Sequence, residues 1–145
     1  MSLKKWSEHG WLRPHRTSKE EIINLLQMVN RDLKDAEQDI SSDRKFGIAY
    51  SAALRLCTVL LYAEGYRAER VQHHYRTIQV LPLILGEKRK ADAQYLDTCR
   101  TKRNIVEYDY MGSVTEDDAK ELIEFSKELK KEVIDWLMAK HSELV

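Results

Sequence analysis

Within the octapeptide RNIVEYDY, the side chains of Arg103, Asn104, Glu107, Tyr108 and Tyr110 have the chemistry to hold an anion or move a proton. A guanidinium presents a planar fork of donors that matches a pair of phosphate oxygens. The amide beside it offers donors and an acceptor, the carboxylate accepts or pairs, and the phenols donate. The same stretch also continues an apolar helical pattern. At about 100° per residue, Leu96, Cys99, Arg103, Val106 and Tyr110 fall on one stripe, with Arg100 and Glu107 within about 40° of it. Two guanidiniums and a carboxylate thus interrupt a core-facing seam. An unpaired buried charge is costly, so these groups must pair internally, meet a ligand or open into a crevice. The internal alternative is a salt bridge from Arg103 to Glu107 one turn on, with the arginine leading, the weaker of the two orders along a helix.

His73 and His74, adjacent in VQHHYR, are alternative proton carriers that would approach the arginines from a different segment; the bland reading is one exposed and one packed ring. The remaining histidines are His9, His15 and His141. No histidine pair stands at metal-ligand spacing from carboxylates or thiols, so neither a metal nor a cofactor is expected. Glycine-rich phosphate loops, nucleophile elbows and dinucleotide fingerprints are absent from the sequence. Tyr50 sits on the inward stripe of another helix, within reach of Arg103. Tyr62, Tyr66, Tyr75 and Tyr95 read as core-edge residues with hydroxyls in water.

The elements that must position these groups are helices. With 145 residues the chain suits one domain, and 24 basic against 24 acidic residues exclude a strongly basic DNA binder or a polyacidic tail. A charged fraction of 33% with only 5 glycines and 2 prolines points to long solvated helices. Residues 1–17 form a basic arm carrying Trp6 and Trp11, either a nucleic-acid arm or an extended leader whose tryptophans dock on the body. Residues 18–145 form the domain. SKEE caps a helix from Ser18 whose stripe is Ile22, Leu26, Val29, Leu33, Ala36 and Ile40. SSDRK recaps a second, with Phe46, Tyr50, Ala53, Leu54, Cys57, Leu60 and Leu61 inward, ending at Gly65. In the third segment Pro82 removes a donor, which predicts a kink or two short helices. The fourth helix is expected from about Lys88 to Met111, stopped by Gly112. Thr115 and Asp118 cap the fifth, with Ala119, Leu122, Leu129, Val133, Trp136 and Leu137 inward. No period-two alternation stands out. The predicted fold is all-α, an up-and-down bundle of four main helices plus a shorter or kinked one.

Cys57 and Cys99 form no disulfide framework, which favours a cytoplasmic setting. No uninterrupted apolar run reaches the roughly 18 residues of a membrane span, and no membrane association is expected.

An early helix reading IAYSAALRLCTVLLYAEGY and a late helix carrying RN before a short aromatic motif resemble the HEPN superfamily over residues 19–140. The resemblance implies a helical bundle, usually homodimeric, often a metal-independent endoribonuclease of toxin–antitoxin, defence or RNA-processing systems. The family's nuclease motif is an arginine, four to six residues and a histidine, frequently with a polar residue after the arginine. Arg103 and Asn104 match its opening, but Tyr108, Asp109 and Tyr110 occupy the histidine slot. One toxin branch adds a tyrosine two residues after the histidine. By that spacing Tyr108 stands for the histidine and Tyr110 for the tyrosine that a partner nucleotidyltransferase modifies with AMP. A phenol near pKa 10 is a poor base at neutral pH, so the expectation is retained RNA or nucleotide binding through Arg100, Arg103, Asn104 and Glu107, with nuclease activity in doubt. If catalysis persists, Arg103 and Tyr108 are the resemblance's candidates, although in an unbroken helix they point about 140° apart. The competing class is a non-catalytic helical protein-interaction module.

Overall fold

The computed structural model describes residues 2–108 and 114–145, with only the backbone described at 106–108. The expected all-α bundle is observed. Its elements are α1 (Leu3–Glu8), β1 (Leu12–Pro14), α2 (Lys19–Asp35), α3 (Ser42–Ala63), β2 (Tyr66–Ala68), α4 (His73–Leu85), α5 (Lys90–Tyr108) and α6 (Glu116–Lys140), with 3-10 turns at Glu87–Arg89 and Ser142–Leu144.

Helix starts follow their caps. The Ser18 side chain accepts from the Glu21 amide, Ser41 from Arg44, and Thr115 and Asp118 form a reciprocal capping box. At α2 the box is not closed: the Glu21 carboxylate instead meets His15 Nε2 at 2.7 Å and accepts from Thr17 Oγ1 at 2.7 Å. That exchange ties the arm to the bundle.

The central element is α3, packed against α2, α4, α5 and α6. Ala49, Ala52 and Ala53 are fully buried, and their small side chains let neighbours approach closely. Ser126 on α6 donates its hydroxyl to the Ala49 carbonyl at 3.1 Å. The predicted stripes of α2, α3 and α6 are largely buried, with Leu26, Leu54 and Trp136 at the core edge. By length and composition α3 is apolar enough to cross a membrane, which the reading of uninterrupted runs did not anticipate; here its apolar residues form the bundle core.

Three expectations need correction. Of the two outcomes expected at Pro82, the split into two short helices is not observed: Pro82 lies in the last turn of α4, which runs through it as one 13-residue helix, the shorter helix of the expected bundle; only three residues follow before Gly86, so little helix remains to be disrupted. The α2 stripe stops at Ala36, the C-cap, and Ile40 lies beyond the helix. The arm is neither wholly extended nor free of β structure: α1 precedes an antiparallel ladder of β1 with β2, Leu12 opposite Ala68 and Pro14 opposite Tyr66. A three-residue ladder is too short to show a period. Trp6 is buried, so the docked reading of the tryptophans is the one observed.

Candidate functional site

The first turn of α4 and the middle of α5 face each other across an open cleft of about 570 Å³, lined by Arg70, Gln72, His73, His74, Tyr75, Arg100 and Asn104. Its residues arrive by simple helical geometry. Arg100 and Asn104 are four apart on α5 and share a face. Gln72 takes a left-handed conformation, φ 56°, and turns the chain from the exposed Arg70–Val71 corner into α4. Helix α4 starts there with no side-chain cap and no acidic residue in its first turn. Its positive dipole end is therefore uncompensated locally.

Among the described residues, the fixed charges that line the cleft are arginines and none is a carboxylate. Asp97 accepts from Arg100 Nε at 2.8 Å, engaging one edge of that guanidinium. The Arg100 guanidinium also lies 6.0 Å from the Tyr75 ring centroid. Among the described residues, no ion pair holds the Arg70 side chain.

His74 forms the inner wall. Its Nδ1 stands 3.3 Å from the hydroxyl oxygen of Tyr50, the largest fully buried side chain of the core. Burial, then the neighbouring His73 and the Arg103 and Arg100 charges, push the His74 pKa below its ordinary 6.5. His74 is consequently neutral at pH 7. Burial also raises the Tyr50 phenol far above its usual range, against the pull of Arg103 and Arg100, so its proton stays on.

Arg103 does not line this cleft. Its guanidinium lies 5.4 Å from the Tyr50 ring centroid, and the side chain borders a second cleft of about 430 Å³ with Asp32, Asp43, Arg44, Gly47, Ile48, Ser51 and Arg55. There Arg55 and Arg31 are paired with the buried Asp32. The neighbouring residues of RN, treated as one ligand-binding unit, thus serve different clefts: positions one apart on a helix diverge by about 100°. Arg103 is nonetheless only half-buried in the apolar seam and reaches a crevice, one of the outcomes its burial demanded.

Tyr108 is the last residue of α5, and neither its side chain nor that of Glu107 is described; Tyr110 lies outside the described residues. The structure therefore joins Arg100 and Asn104 with His73 and His74, and reaches Arg103 through Tyr50. Sequence reasoning missed Arg70 and Gln72 and took Tyr75 for a core-edge residue. No group of three or more metal-ligating side chains occurs among the described residues. Compared with known proteins, the chain finds no match among family models, curated proteins or solved structures.

Proposed function

We propose that this chain is a HEPN-like domain that binds single-stranded RNA through its backbone phosphates, in the cleft between α4 and α5. The observation that carries this is a cleft whose described lining residues include Arg70, Arg100, the Asn104 amide and two imidazoles, with no carboxylate among them. Guanidiniums and an exposed helix N-terminus suit phosphate oxygens, while Tyr75 offers a ring on which a base can stack. The chain's zero net charge fits local recognition better than long-range attraction.

The HEPN resemblance adds a homodimer in a toxin–antitoxin or defence system, with a nucleotidyltransferase as a possible partner and Tyr110 as its modification position. Ile105, 41% exposed on α5, leaves an apolar residue available to a second copy. Fluorescence polarisation with labelled RNA tests the binding: Arg100→Ala weakens it by about tenfold, the loss of one charge-assisted contact, and added salt weakens the wild type progressively. If neither RNA nor a mononucleotide binds, the reading is wrong and the non-catalytic interaction module takes its place.

A further inference from the structure

The chain's zero net charge is unevenly spread. Tyr95 and Arg100, five apart on α5, point about 140° from each other. On the Tyr95 side, α5 and α6 border an open groove of about 320 Å³ lined by Asp92, Tyr95, Glu121, Glu124, Phe125 and Glu128. Four of these described lining residues are carboxylates and none is a cation. We infer that this groove docks a partner protein through an arginine side chain, which lies on the Tyr95 and Phe125 rings and meets the carboxylates around them.

Helical spacing builds the groove. Glu121, Glu124, Phe125 and Glu128 recur at steps of three and four on α6, beside the buried stripe of Leu122, Leu129 and Val133. Phe125 packs at the core edge, its ring centroid 4.9 Å from that of Tyr95. Burial, then the neighbouring Cys99 and Glu121, push the Tyr95 phenol far above its usual range, so the floor is two uncharged rings. Glu121, Glu124 and Glu128 stand exposed around it. The cations beside the groove are shared with other carboxylates. Arg89 pairs with both Asp92 and Glu132, and Lys127 reaches Glu37 as well as Glu124, the latter at 3.8 Å. Among the described residues, no ion pair holds Glu121 or Glu128.

These groups select the occupant. Their negative field repels phosphates and so disfavours a nucleic acid. Among the described residues, no three metal-ligating groups converge, so the charge is spread in a row rather than focused on one ion. Along α6, Glu128 lies about one turn from Glu124 and two from Glu121, roughly 6 and 10 Å. A guanidinium suits such a row, because its face stacks on aromatic rings while its edge donates in pairs to carboxylates. The same pairing occurs inside this molecule, where the Arg76 guanidinium lies 3.8 Å from the Trp11 ring centroid. A groove of about 320 Å³ takes a side chain rather than a whole segment, so the partner lies across the rim and inserts its anchor.

Docking here is independent of RNA in the arginine cleft. The test titrates the full chain into a fluorescein-labelled peptide carrying arginines at i and i+4 of a helical sequence, read by polarisation. The same peptide with lysines runs beside it, and spermidine serves as a competitor. The arginine peptide binds saturably and about tenfold tighter than the lysine one. Glu121→Gln with Glu128→Gln weakens it by about tenfold or more, the loss of two charge-assisted contacts. Phe125→Leu keeps an apolar side chain at the core edge, so it weakens binding while the melting temperature stays close to wild type. Arg100→Ala leaves peptide affinity unchanged. No saturable binding up to about 1 mM, equal affinity for both peptides, or displacement by spermidine as effective as by unlabelled peptide overturns the inference. Salt-sensitive self-association in sedimentation, abolished by the paired glutamate substitutions, also overturns it. The occupant would then be a second copy presenting its Lys130 and Lys131 flank.

Discussion

Two neighbouring regions of this molecule are built from the same kinds of residue and use them oppositely. On the arm side of α4, the Arg76 guanidinium lies 3.8 Å from the Trp11 ring centroid and 5.7 Å from that of Trp6. His9 stacks on Trp11 at 4.8 Å, and Arg13 is paired with Glu69. On the cleft side, His73, His74, Tyr75 and Arg100 surround open space. Both regions combine cations, imidazoles and aromatic rings, the composition that made the arm look like a nucleic-acid binder. In the clasp those groups satisfy one another. In the cleft, Arg70 and Arg100 line an open volume with no carboxylate among its described lining residues, and Asp97 engages only one edge of Arg100. Engagement of the cations, rather than their number, separates a structural knot from a candidate site.

The largest break in this comparison comes from the clasp. Trp6→Ala removes a buried indole and lowers stability by about 3–5 kcal/mol, a large share of a typical domain's total, read from the urea midpoint. RNA affinity, measured at a temperature where the variant is folded, stays at the wild-type value. A fall in affinity with little change in stability would make the arm part of the binding surface. Arg100→Ala gives the crossed result, the tenfold affinity loss with a stability change within about 1 kcal/mol, since its pair with Asp97 is partly exposed.

Acid titration sharpens the comparison further. The folded His74 pKa lies below 6.5, so between these values the unfolded chain binds more protons than the folded one. The stability this contributes is complete above about pH 6.5 and is lost as pH falls toward the folded value. His74→Gln therefore narrows the difference in denaturant midpoint between about pH 7.5 and pH 5. An unchanged difference would show that the ring titrates normally and that its burial is weaker than described.

The sequence made the bundle legible where a long apolar period coincided with a cap, as at Ser18, Ser41 and Thr115. It failed where tertiary contacts decide. Nothing in LRP or YRA announces a strand; their pairing depends on the arm returning to the end of α3. The candidate site was legible in part. Arg100, Asn104 and the two histidines stood out by type, but the side of α5 on which each partner helix lies was not encoded in that helix's own spacing. The left-handed turn at Gln72 gave no signal at all, because glycine or asparagine is the usual occupant of that conformation.

The smallest effect expected belongs to Arg103, which borders the second cleft and meets the Tyr50 ring. Arg103→Met keeps a long side chain against the phenol ring and removes a half-buried charge that borders the second cleft, so a stability change within about 1 kcal/mol in either direction is the outcome expected if solvent reaches that charge. Its charge is one of those that disfavour the His74 imidazolium, after burial and His73. Removing it raises the His74 pKa toward 6.5, a shift readable from the ring proton resonances across an NMR titration. If that resonance does not move while RNA affinity falls, Arg103 meets the ligand directly and the two clefts form one binding surface. If instead stability drops by about 3–5 kcal/mol, a pairing partner has been stranded in the core, and the charge in the seam is a structural one.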